Sequence, residues 1–166
     1  MRIRPETDAD HAAIGALTTA AFAGAPHSSG TEAAIIDALR AAGGLTLSLV
    51  ADDGGGVVGH VAFSPVRIDG RQAGWFGLGP VSVAPDRQGQ GIGGALIREG
   101  LARLAAAGAK GCVLLGDPGY YRRFGFQADP GLVLPDVPPE YVLRLVLAGA
   151  PPRGTVAFHP GFYLHA

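Results

Sequence analysis

Cysteine occurs once in this chain, at Cys112, and lysine once, at Lys110. A single cysteine excludes an internal disulfide and any cysteine-rich metal site. Set between Gly111 and Val113-Leu114-Leu115, it reads as a small buried residue and gives no reason to invoke a covalent intermediate. Charge is scarce too: charged residues make up 16% of the chain and sum to a formal −1. With no basic run, nothing supports binding to nucleic acid or to an anionic membrane. No uncharged apolar run approaches the roughly 20 residues of a membrane span. Met1-Arg2-Ile3-Arg4-Pro5-Glu6 does not read as a signal peptide, so a cytoplasmic protein is expected.

Glycine and proline, in contrast, are plentiful, at 27 and 13 of 166 residues. That lies near the roughly 25–30% at which disorder becomes a concern. A hydrophobic content of 48%, with Ile, Leu and Val regularly spaced, argues for a packed core and assigns the glycines to turns and close approaches. No linker or internal repeat divides the chain, and its length suits one domain over residues 1–166.

Ile3 falls on a short first strand. Thr7 or Asp8 can cap a helix through about Phe22, with Ile14, Leu17 and Ala21 at helical spacing. After the loop Gly24–Gly30, Ser29 with Glu32 fits a capping box for a second helix to about Arg40. Leu45–Ala51 and Val57–Ile68 read as a hairpin, and Ala73–Val83 as a third strand. Ile92–Ala107 is the main helix, with Ile92, Leu96, Leu101 and Leu104 near one face. Gly111–Leu115 follows as a strand and completes a β-loop-α-β unit. Asp117-Pro118 opens a short helix through Tyr120, Tyr121 and Arg122. Tyr141–Leu147 and Thr155–Phe158 are late strand candidates.

Between the third strand and the main helix stands Gln88-Gly89-Gln90-Gly91-Ile92-Gly93-Gly94. Glycines let a backbone approach a ligand closely, and a helix start offers unpaired N–H groups with a dipole that favours anions. A phosphate-bearing group is expected here. Four glycines in six positions exceed what a tight turn needs. The spacing also satisfies G-x-G-x-x-G, with Asp117 where a ribose-binding acid would stand. Context opposes a dinucleotide site, however. Pro85-Asp86-Arg87-Gln88 separate the strand from the first glycine, and an antiparallel meander precedes it. A phosphate loop of the nucleoside triphosphatase type fails because Lys110 is the only lysine.

Gln88-Gly89-Gln90-Gly91-Ile92-Gly93 matches the Q/R-x-x-G-x-G/A signature, and here the chain resembles the GCN5-related N-acetyltransferase (GNAT) superfamily. The resemblance runs along most of the chain: an Ile-Arg-Pro strand, two helices, a meander, and a Val-x-Val-x-Pro strand before the loop. Gly119-Tyr120-Tyr121-Arg122-Arg123-Phe124-Gly125-Phe126 is similar to the family's F/Y-Y-x-x-x-G-F segment. Gly116-Asp117-Pro118 and the strand Gly59–Val66 look most like a little-characterised bacterial subgroup.

The resemblance implies an α/β (α+β) acyl-CoA N-acyltransferase fold. Its mixed, mostly antiparallel sheet splays at the cofactor strand and is flanked by helices. It implies acetyl-CoA as acyl donor, no metal, and direct transfer to an amine acceptor, with a homodimer compatible. Backbone N–H groups of Gln88, Gly89, Gln90, Gly91, Ile92, Gly93 and Gly94 would hold the CoA pyrophosphate. Val81, Ser82 and Val83 would pair with the pantetheine arm, and an N–H among them would face the thioester oxygen. Gly77 and Gly79-Pro80 suit a bulge that opens the sheet.

The resemblance also puts Tyr121 at the family position that often lies near the CoA sulfur and protonates the departing thiolate. Free-solution values make that uphill by about 2 kcal/mol, so protonation must accompany bond breaking or reduce to a hydrogen bond. Tyr120 is the expected core residue of the pair. The acceptor ammonium must lose a proton, and Glu32, His60 and His27 are the candidate bases. The same residues read as a capping-box partner, a hydrogen-bonded sheet histidine and an exposed loop residue. Arg122 and Arg123 are equally CoA-phosphate contacts or solvated side chains. The resemblance implies an acceptor pocket at about Phe22–Glu32 and the segment after Phe126, with Phe63, Trp75 and Tyr141 as candidate walls. A CoA-binding regulatory domain without turnover is the rival reading.

Overall fold

The computed structural model describes residues 1–26 and 28–163. Strand β1 (Arg2–Pro5) leads through a 3-10 turn at Asp8–Asp10 into helix α1 (His11–Phe22), followed by α2 (Glu32–Ala41). The helix expected from Thr7 or Asp8 therefore starts later. Asp10 turns back to accept from the Thr7 N–H at 2.7 Å and is gripped by Arg4 at 2.7 and 3.1 Å, which tightens the entry into a 3-10 turn.

Strands β2 (Leu47–Asp52), β3 (Val57–Pro65), β4 (Arg67–Ile68) and β5 (Trp75–Val83) follow. The expected continuous strand Val57–Ile68 breaks at Val66, and β4 leaves for another sheet. Helix α3 (Ile92–Ala106) and strand β6 (Gly111–Leu115) complete the crossover, with β5 and β6 parallel. Next come α4 (Pro118–Tyr121), β7 (Gln127–Ala128), β8 (Leu132–Val133), β9 (Val142–Val146) and β10 (Gly154–Ala157).

The main sheet runs β1-β2-β3-β5-β6-β9-β7, and β4-β10-β8 form a smaller one. Every main-sheet neighbour pair but β5/β6 is antiparallel. Side chains alternate between the faces with the period of two that strands impose. Leu49, Ala51, Val61, Phe63, Cys112 and Leu114 face α3 in one core. Val50 meets Ile14 and Ile36 of α1 and α2 on the other face, while Val113 and Val142 meet the small sheet's Val156 and Leu132. Phe63 and Trp75 are thus core residues, 0% and 4% exposed, and not walls of an acceptor pocket. Tyr141 stands exposed on a 3-10 turn, tied to Gly116 through its carbonyl at 3.1 Å.

Helix α3 lies close enough to the sheet that two glycines carry the contact. A methyl at Gly100 would stand 2.2 Å from the Phe63 ring, and one at Gly59 2.8 Å from Ile92. Gly100→Ala gains helix propensity but forces a fully buried ring to move, and overpacking of this kind costs about 1–3 kcal/mol. Urea unfolding of Gly100→Ala should show a lower midpoint with the slope unchanged; an unchanged midpoint would mean Phe63 has room that this packing denies it.

Candidate functional site

The site is built where β5 and β6 part. Only Trp75, Phe76 and Gly77 pair with β6, through Gly111, Cys112 and Val113. On its other edge β5 stays paired with β3 to its end, with a register shift between Val61 and Phe63. Two residues, Gly79 and Pro80, stand there opposite Ala62 alone, and such a bulge bends the strand away from its neighbour. Ala84 N donates to Val58 O at 2.9 Å, which sets the ladder's phase. By antiparallel alternation Ser82 bonds with His60, and Val81 and Val83 turn their main-chain groups to the open side. Of the three expected pantetheine contacts, Ser82 is therefore engaged by β3 instead. Its side chain donates to Thr18 of α1 at 3.3 Å.

The glycine loop continues from this strand through a 3-10 turn at Pro85–Arg87. Arg87 holds it to the β2–β3 hairpin, donating to Asp53 at 2.6 Å, and Gln88 Nε2 donates to Val83 O at 3.2 Å. Gly89 and Gly91 take φ of +76° and +81°, the left-handed region that other residues avoid, and Gly91 is the N-cap of α3. No backbone acceptor among the described residues takes the N–H of any residue from Gln88 to Gly94. Gly93 lies over Val81 and Val83, where a Cβ would be 4.0 and 3.6 Å from their side chains. This main-chain surface thus carries seven N–H groups without a backbone acceptor and the unpaired edge of β5, and it suits a negatively charged group at the positive end of a 15-residue helix.

The second motif docks on the first. Asp117 caps α4 by accepting from Gly119 N at 2.8 Å. Phe124 then reaches within 3.7 Å of the Cβ position of Gly94, with the Arg98 guanidinium 4.8 Å above its ring. Tyr121 lies across Gly116, just past the end of β6, where an added Cβ would meet its ring at 2.5 Å. It packs edge-to-face against Tyr120 at 4.9 Å and Phe126 at 6.0 Å. Burial, with a smaller contribution from Tyr120, pushes its phenol up to about 12. Tyr120, the expected core member, packs partly buried against the main core as Tyr121 does, with the Arg123 guanidinium 4.2 Å over its ring.

These motifs also match known proteins. The profile of the acetyltransferase (GNAT) domain covers residues 45–128. The N-acetyltransferase YhbS of Escherichia coli K12 is 44% identical over 128 residues, 76% of this chain and 74% of its own length. The chain belongs to the GNAT acetyltransferase family. A GNAT acetyltransferase from Brucella melitensis, crystallised with acetyl-CoA, is 55% identical and superposes with a TM-score of 0.88 over 97% of both chains. The crystal structure of E. coli YhbS with CoA gives a TM-score of 0.88 at 37% identity, over 98% of this chain and 91% of that one.

In this GNAT domain the candidate bases lie apart. Glu32 borders a cavity of about 470 Å³ between α1 and α2, lined also by Phe22, Ser28 and Ser29. It opens α2 at the first helical position, not the third as a capping box requires, because Thr31 serves as N-cap. Its carboxylate still reaches back, accepting from Ser28 Oγ at 2.7 Å, Ser29 Oγ at 3.1 Å and Ser29 N at 3.2 Å. Burial raises its pKa, but these bonds outweigh burial and hold it below the ordinary glutamate value. His27 lies outside the described residues. His60 is 0% exposed on the α1–α2 face, its Nε2 2.7 Å from Ser48 Oγ. The Ser48 hydroxyl donates to Glu6, so Nε2 carries the proton and the buried Nδ1 is left bare. Cys112, facing the α3 core, has its thiol pushed up to about 12 by burial and is no nucleophile.

Burial, opposed by Glu6 and aided by Arg40, depresses His60 from 6.5 to about 4. The unfolded chain then binds the extra proton between those values, so His60 stabilises the fold fully above about pH 6.5. That contribution, on the order of 3 kcal/mol, disappears as the pH falls to about 4. Denaturant titrations between pH 7 and 4 should show a loss that His60→Gln lacks. Equal losses in both proteins would assign the acid sensitivity to other groups.

Proposed function

We propose that this chain transfers the acetyl group of acetyl-CoA directly to a primary amine in a ternary complex. Residues 1–166 form one catalytic domain that acts in the cytoplasm, alone or as a homodimer. The observation that carries this reading is the continuous main-chain surface from Val81 to Gly94, with one open strand edge and seven N–H groups lacking a backbone acceptor among the described residues. The relatives bound to acetyl-CoA or CoA support the same donor.

Acetyl-CoA supplies an acyl group activated as a thioester. The N–H groups of Gln88 to Gly94 hold its pyrophosphate, and the glycines keep side chains out of the way. Val81 and Val83 bind the pantetheine arm as a strand would, and an N–H on that open edge stabilises charge that develops on the carbonyl oxygen. Ser82 serves this edge indirectly, fixing the strand to α1 through Thr18.

Tyr121 stays protonated throughout the working range, since its phenol stands at about 12. Full transfer of its proton to a thiolate of pKa about 8.5 would be uphill by about 5 kcal/mol. Its role is to donate a hydrogen bond to the sulfur as the C–S bond lengthens. Glu32, ionised and the one charged side chain among the described residues of its cavity, attracts the acceptor's ammonium. A carboxylate so strongly hydrogen-bonded is too weak a base for an ammonium of pKa about 10, so the acceptor reacts as the fraction that has already lost its proton to bulk solvent, and Glu32 serves to recruit the amine.

Isothermal titration should give acetyl-CoA binding far tighter than NAD; the reverse order would refute the donor assignment. A broad amine panel followed by free-thiol release should find turnover, and silence across it with CoA still bound would favour a regulatory CoA-binding domain. Tyr121→Phe should lower kcat by about 10- to 100-fold, the worth of a hydrogen bond to a charged acceptor, with acetyl-CoA affinity nearly unchanged. An unaltered kcat would remove Tyr121 from the chemistry.

A further inference from the structure

On the same face of the sheet, on the β6 side of the split, lies a groove that the donor surface does not use. It encloses about 550 Å³, within the roughly 300–1,000 Å³ of small-molecule pockets, and none of its described lining residues is charged. Resting on the acetyltransferase reading, we infer that the acceptor is a primary amine on an apolar body, aromatic or branched alkyl. Leu115, Leu134, Val137, Phe158, Phe162 and Tyr163 hold that body.

Position makes this groove part of the reaction site. Gly77 is the last residue of β5 paired with β6, and a Cβ there would stand 3.0 Å from the Phe158 ring. The groove therefore begins at the fork. Leu115 ends β6 two residues past the final pair, on the same face as Val113, and is 46% exposed. Phe158 and Phe162 pack at 5.5 Å, and the Tyr163 hydroxyl, accepting from Phe158 N at 3.1 Å, fixes the wall. A contiguous apolar surface that no other described residue covers, beside a reaction centre, is characteristic of a ligand site.

Charge then selects the class. The cavity between α1 and α2 has Glu32 as its one charged described residue, which suits a single ammonium near the fork. A polyamine would need further carboxylates along the groove, and an acidic acceptor would need a cation; the described lining offers neither. One cationic nitrogen with an uncharged body satisfies both walls.

The test is a homologous series of n-alkyl and phenylalkyl amines against diamines and spermidine, with thiol release as readout. Each added methylene should raise kcat/KM about fourfold until the groove is filled. Leu115→Ser and Phe162→Ala should flatten the series while leaving acetyl-CoA affinity intact. A flat series, or preference for polyamines, would overturn the inference and leave the acetyltransferase reading standing. Should no amine turn over, a second measurement still decides. Ligand-observed NMR should detect 3-phenylpropan-1-ol, which lacks the nitrogen, on the CoA complex and lose it in Leu115→Ser. No binding, or a dimer in sedimentation that Leu115→Ser dissociates, would assign the groove to another occupant.

Discussion

The early separation of β5 from β6 is the constraint on which the rest of this structure depends. Buried main-chain donors and acceptors must be paired, so a strand that leaves its neighbour after three residues needs either solvent or a ligand along the abandoned edge. The bulge at Gly79-Pro80 sends β5 away, and pairing with β3 continues on the other side, so the strand stays rigid while one edge lies open. A rigid open edge is a preorganised binding surface. It is what a peptide-like pantetheine arm can complete without reorganising the protein.

Everything around the fork then divides by which side of it a residue serves. Above Val81 and Val83, Gly93 lets the first turn of α3 approach, and the seven free N–H groups collect where the helix dipole is positive. Below, Ser82 and Thr18 tie the strand to α1. Tyr121 is fixed by Gly116, which has no side chain to keep the ring away from the end of β6. Burial raises that phenol and lowers His60, so both remain neutral at working pH, and Glu32 is left as the charged group beside the cavity between α1 and α2. In the proposed reaction the division of labour is electrostatic: donors for the phosphates, a neutral hydroxyl for sulfur, one carboxylate for the amine.

Local patterns carried much of this. The loop from Gln88 to Gly94 announces itself because glycine is the residue that φ of +76° and +81° requires, and that demand is local. The face of α3 was readable from Ile92, Leu96, Leu101 and Leu104, since a 3.6-residue period needs no tertiary information. Strands β2, β3 and β6 were readable as short apolar runs bounded by turn residues, and so was the β-loop-α-β crossover that ends in β6. Where a residue meets partners far along the chain, the pattern was silent or misled. Phe63 and Trp75 have the size and polarity of pocket walls, but the faces they share with Gly100 and Val113 put them in cores. Ser82 follows the strand's alternation yet loses its ligand contact to the ladder phase, which Val58 on β3 determines. Short strands β4, β7 and β8 have too few residues for any period to show.

By itself, then, the sequence determined the donor side: a Gly-rich turn entering a helix, a strand before it and a Tyr-Tyr segment behind it, all within about forty residues. Those elements are specified by backbone conformation and helical or strand period, which neighbouring residues dictate. Only the tertiary structure brought together the residues proposed for the acceptor. Glu32, Leu115 and the Phe158–Phe162 pair come from three distant places in the chain, and Tyr120 and Tyr121 both pack against the main core. The physical reason is that charge and apolar area act through space, and no local pattern records which side chains the β5–β6 fork brings together.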